Sequence, residues 1–107
     1  MNFEKLAGEI GFEKEEYMEL IGLFISTTAD DIGKLMTAIN KGDFNTAERA
    51  AHSIKGASSS LGLTEIANEA KKIEYAAKEC HGELTELSAV ELETHLNIII
   101  EHFKTCK

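Results

Sequence analysis

Apolar residues recur three and four positions apart along most of the chain, a spacing that gathers them on one face of a helix, and strand-type runs are few. Near the start, Phe3, Leu6, Ala7 and Ile10 follow it, with Asn2 placed to cap and Gly11 to stop. This short helix is expected to lie across one end of the fold; its apolar face could instead meet a second protein. A longer stripe of Tyr17, Leu20, Ile21, Phe24, Thr28, Ile32, Leu35 and Ile39, broadened by Ile25, predicts a helix over about residues 13–40. Glu13, Glu15, Glu16 and Glu19 crowd its start, where the helix dipole favours negative charge, and Lys41 with Gly42 closes it. Gly33 within it predicts a close helix contact. A third helix is expected over 43–61, opened by capping types and stopped by Gly62.

Thr64 reads as the N-cap of a fourth helix that stops around residues 80–82, with Leu63, Ile66, Ala70, Ile73 and Ala77 inward. The last helix is expected to begin between 84 and 89 and run nearly to 106. Its core face is Leu92, Leu96, Ile99, Ile100 and Phe103, joined by Leu87 and Val90. The two- or three-residue link before residue 43 makes the helices it joins antiparallel neighbours. The pattern predicts an all-α fold: an antiparallel up-down four-helix bundle with a short additional N-terminal helix, one domain over 1–107.

Composition agrees and narrows the classes. The chain has 107 residues, no proline and 43% apolar residues, ordinary for a single helical globule. Cys80 and Cys106 make no disulfide framework, and the charged N-terminus has no apolar h-region, so a reducing cytoplasm is expected. The longest apolar run, 98–100, is far too short for a membrane span. A net charge of −8 argues against nucleic acid and anionic membranes as partners. Yet residues 49–78 carry Arg49, Lys55, Lys71, Lys72 and Lys78 against Glu65, Glu69 and Glu74, a local balance of +2. Such a basic patch suits an acidic docking partner, although basic side chains also simply solvate a helix face.

One histidine stands inside that patch. On a wheel advancing about 100° per residue, Ala47, Ala50, Ile54, Ala57 and Leu61 cluster opposite His52, while Asn45, Glu48, Lys55, Gly56 and Ser59 share its side. His52 is therefore expected to face away from the core. A mid-helix glycine costs about 1 kcal/mol relative to alanine; Gly56, one turn past His52, removes a side chain that would crowd the ring. Lys55, also one turn away, puts a cation where an anion on that ring would sit.

At these positions the chain resembles the histidine-containing phosphotransfer (HPt) domains of bacterial two-component phosphorelays. Their pattern is approximately H-x-hydrophobic-K-G-x-[small]-x-x-x-G. It is filled by His52, Ile54, Lys55, Gly56, Ser58 and Gly62. The resemblance implies that His52 carries a phosphoryl group and that Lys55 helps hold it. It implies that Glu74, at the place of a family residue that bonds the imidazole, accepts the Nδ1–H and leaves Nε2 to attack. Gly56, Ser59 and Arg49 would then lie where a partner docks. The implied partners are response-regulator receiver domains and a sensor or hybrid histidine kinase, with Mg²⁺ and the acidic pocket belonging to the partner. The chain is expected to be a monomeric carrier rather than an enzyme, without a cofactor.

Other constellations carry less. His102 and Cys106 stand four apart, but nothing supplies further metal ligands at local spacing. Residues three before the histidines are Arg49, Lys78, Leu92 and Ile99, so no Glu-x-x-His pair exists for a di-iron site. No Gly-rich phosphate loop is present, so no ATP site is expected. Ser58, Ser59 and Ser60 lack an acid-base partner at plausible spacing and read as small packing residues. Two alternatives remain: a phosphate-accepting domain of a larger chemotaxis-type kinase, against which the Met start and missing linker speak, and a non-phosphorylated bundle adaptor, against which the intact His52, Lys55 and Gly56 set speaks.

Overall fold

The computed structural model describes residues 2–106; the ends of the domain expected over 1–107 lie outside the described residues. Five helices account for nearly all of it: α1 (Phe3–Glu9), α2 (Lys14–Lys41), α3 (Phe44–Ser60), α4 (Thr64–Lys78) and α5 (Gly82–Thr105). No strand occurs among the described residues. A 28-residue helix is about 42 Å long at its usual rise, so α2 sets the 41 Å long dimension of the molecule. Helix α3 packs between α2 and α4, α5 packs between α4 and α2, and α1 rests on α2. No helix among the described residues is long and apolar enough to cross a membrane.

The helix ends follow local chemistry. The Asn2 side chain accepts from Lys5 N–H and that of Asp43 from Thr46 N–H, each covering an otherwise unpaired donor. Glu13 and Glu16 form a capping box at the start of α2, and Gly42 ends that helix in the left-handed region. Thr64 is not a cap: it lies inside the first turn of α4, Leu63 holds the cap position, and no side chain bonds there. At the other end of α4, Cys80 takes a left-handed φ of 56°, a place usually left to glycine. Helix α5 begins at Gly82, earlier than its apolar stripe suggests.

The core is continuous through all five helices. Phe3 and Ala7 of α1 join Tyr17, Ile21, Phe24, Ile32 and Leu35 of α2, and Ile54, Ile66, Ile73, Leu92, Leu96 and Ile99 complete it. The buried Tyr17 hydroxyl donates to the Leu61 carbonyl, tying the start of α2 to the end of α3.

Three packing expectations are corrected. Ala57 is exposed, whereas Ala51 and Ser58 are buried, so the inner face of α3 is rotated by about 30° from the antipode of His52. Ser58 Oγ donates to the Ile54 carbonyl at 2.6 Å, which lets a hydroxyl sit in the core. Leu87 and Val90 are exposed, and Thr85, Ser88 and Ala89 take the inner positions. Gly33 has open space around it, and the close contact belongs to Gly22, where an added Cβ would meet Phe103 Cζ at 3.2 Å.

Candidate functional site

The rotation of α3 leaves His52 on the outer face. Its side chain is 67% exposed, and Gly56, Ser59 and Arg49 around it are exposed as well. A Cβ built on Gly56 would meet no atom within 4 Å, so the space one turn beyond the ring is open.

Helix α4 packs against α3 and brings Glu74 to the ring from the side. Glu74 Oε2 lies 2.9 Å from His52 Nδ1, and Glu74 Oε1 lies 2.7 Å from Lys55 Nζ. The Glu74 side chain is only 11% exposed, so its charge requires these partners. The Lys55 hydrogen bond, helped by the one to His52, holds the Glu74 carboxyl below its ordinary 4.5, although burial pushes the other way. An ionised carboxylate is an acceptor only. His52 Nδ1 must therefore carry the proton it donates, and in the neutral ring the lone pair is on Nε2.

Six residues singled out in the sequence thus fall into two groups. His52, Lys55 and Glu74 are joined through one carboxylate. Gly56, Ser59 and Arg49 lie exposed on the same helix as His52 and are not part of that hydrogen-bonded set. The basic span of the sequence is also sharpened. Of its acids, Glu74 is buried against Lys55, and Glu69 is buried with Oε1 3.3 Å from Lys72 Nζ.

Tyr75 receives no role from sequence patterning. It is exposed on α4 beside Glu74, between Lys71 and Lys78. An aromatic with lysines at i−4 and i+3 on a polar helix margin was the available signal. Helix α4 also borders a groove of about 490 Å³ lined by Glu65, Glu69, Lys72, Tyr75 and His95, away from His52. His52 does not line that groove and stands exposed on α3. Among the described residues, no three His, Cys, Asp or Glu side chains are grouped to hold a metal ion.

The chain belongs to the Hpt domain family, whose model matches residues 19–103. Among solved structures it is similar to histidine-containing phosphotransfer protein B from Pseudomonas aeruginosa PAO1, with a TM-score of 0.85, 25% identity, and coverage of 98% of this chain and 91% of that one. No curated protein matches it in sequence. Its function is histidine phosphotransfer in two-component signalling.

Proposed function

We propose that residues 1–107 form one domain, an antiparallel up-down four-helix bundle of α2–α5 with α1 across one end, acting as a cytoplasmic, monomeric carrier between a sensor or hybrid kinase and receiver domains. His52 is the phosphoacceptor. The observation that carries this reading is the 2.9 Å contact between His52 Nδ1 and Glu74 Oε2 beneath an exposed ring.

The step is a direct displacement. The Nε2 lone pair attacks the phosphorus of the receiver's aspartyl phosphate, a P–N bond forms, the P–O bond breaks, and the aspartate leaves as a carboxylate. No proton has to move. The Nδ1–H stays in place, and the ring becomes a phospho-imidazolium whose positive charge develops against Glu74. The same charge makes the ring a good leaving group, so the reverse transfer to a second receiver is also accessible. Lys55 fixes Glu74 and stands one turn from the incoming phosphoryl group, where its charge offsets that of the oxygens. Gly56 clears the approach, and Ser59 and Arg49 meet the partner.

Catalysis here is positioning and charge compensation, and the ATP-dependent step belongs to the kinase. The test is transfer from a ³²P-labelled receiver domain. The chain should gain an acid-labile, alkali-stable label, and His52→Gln should gain none while keeping its circular dichroism. Normal labelling of His52→Gln overturns the assignment.

A further inference from the structure

The groove beside α4 is one stretch of a longer channel along the seam of α4 and α5. It shares Glu65 and His95 with a second hollow of about 490 Å³ that reaches α1. In the other direction it shares Lys72 and Tyr75 with a third, which shares His81 and Leu84 with a fourth at the turn between α4 and α5. Ile98, Tyr75, Leu84 and Leu87, large apolar side chains left exposed, line this channel from end to end. Leu84 and Ile98 stand 14 residues apart on α5, about 21 Å at the helical rise. Single exposed apolar residues are ordinary, but a row of them in a channel between two helices has the shape of a seat for a third.

The middle of the channel decides what its occupant carries. Glu69 lines it and is only 7% exposed. Its Oε1 meets Lys72 Nζ at 3.3 Å, and that lysine side chain is 63% exposed. Its Oε2 is buried with no hydrogen-bond partner among the described residues, and so is Nδ1 of His95 across the seam on α5. Lys71 leans on the Tyr75 ring instead, 5.9 Å from its centroid. The buried negative charge is thus only partly answered. An apolar helix laid over it would draw the carboxylate and Lys72 further from water, at a cost unless the helix brings a cation of its own. A guanidinium suits the place, because its fork of N–H donors can serve a carboxylate oxygen and an imidazole nitrogen together.

We infer that the α4/α5 seam docks an amphipathic helix of another protein. That helix presents apolar side chains three and four apart over about four turns, with an arginine in the middle facing Glu69 and His95. The seat is separate from His52, which lines none of these hollows, and the inference does not rest on the phosphoacceptor reading.

The probe is a synthetic amphipathic peptide of about 18 residues with leucines at that spacing and one central arginine. Its twin has glutamate in place of the arginine. Titration into the full ¹⁵N-labelled chain should give saturable 1:1 binding, with amide shifts confined to α4, α5 and the adjoining edge of α1. The arginine peptide should bind at least about tenfold tighter than its twin. Glu69→Gln should erase that preference. Leu84→Ser with Leu87→Ser, both at exposed positions, should weaken both peptides at least about tenfold. His52→Gln should bind them as the wild type does. No saturable binding, equal affinity for the twins, or shifts centred on α2 and α3 overturns the inference. So does a chain that covers the seam with a second copy of itself, seen by sedimentation as a dimer that Leu84→Ser with Leu87→Ser dissolves.

Discussion

Glu74 places one carboxylate oxygen 2.9 Å from His52 Nδ1, so the proton state of the ring is set from the neighbouring helix. Replacing Glu74 by alanine removes both the tautomer lock and the charge that meets the developing imidazolium. The transfer rate should fall about 10–100-fold, the cost seen when the carboxylate that orients a metal-bound imidazole is removed. Glu74→Gln keeps an acceptor oxygen but no charge, and should fall between the two. Stopped-flow or gel-based transfer kinetics read the order.

The same carboxylate predicts a pH dependence of stability. The folded-state pKa of Glu74 is depressed, chiefly by the Lys55 hydrogen bond. Its contribution to stability is therefore present above the ordinary 4.5 and is lost as pH falls through the lower folded value. Urea unfolding of wild type and Glu74→Gln should diverge above about pH 4.5 and converge below it. In Lys55→Ala the divergence should shrink, because the burial that raises the Glu74 pKa is then opposed mainly by His52.

Two glycines in helices should respond differently to alanine. Gly56 faces open space, so Gly56→Ala should stabilise by about 0.4–1 kcal/mol. Gly56→Trp should keep the fold and block transfer by occupying the approach to His52. At Gly22 the new Cβ would sit 3.2 Å from the Phe103 ring, so the gain from Gly22→Ala should be smaller than at Gly56 or reversed. Thermal unfolding distinguishes them, since 1 kcal/mol moves Tm by about 4–8 °C in a domain of this size.

Much of this was legible in the sequence because periodicity and face are strong signals. The outward direction of His52 follows from where Ala47, Ala50, Ile54 and Leu61 fall on the wheel, and all four are buried. The finer phase of α3 was not legible. Ala57 and Ser58 differ little in size, and only the bond from Ser58 Oγ to the Ile54 carbonyl makes the hydroxyl fit to bury. Hydrophobicity likewise misplaced the start of α5. Leu87 and Val90 lie about 140–160° from Leu92 on the wheel, off the stripe. Thr85 is buried instead, with Oγ1 donating to the His81 carbonyl at 2.7 Å. The partner of His52 was suggested by resemblance to a family; Lys55 as the second ligand of Glu74 emerged only from three-dimensional packing.

Tyr17 gives an alkaline prediction. Burial, with Glu9 nearby, pushes its phenol up to about 12 from 10.0. A raised folded-state pKa contributes stability that is complete below the unfolded value and is lost as pH rises from about 10 through 12. Tyr17→Phe should lack that loss. It should also cost about 1–2 kcal/mol near neutral pH, because the Leu61 carbonyl loses its buried donor. Denaturant titrations at pH 7 and pH 11 separate the two effects.

The most direct measurement is heteronuclear NMR of the ¹⁵N-histidine-labelled chain after transfer from a phosphorylated receiver domain. The expected spectrum shows phosphorus coupled to Nε2 of His52, with Nδ1 still protonated against Glu74. A phosphoryl group on Nδ1 of His52, or on His81, His95 or His102, would contradict the assignment of His52 Nε2 as the atom that carries phosphate.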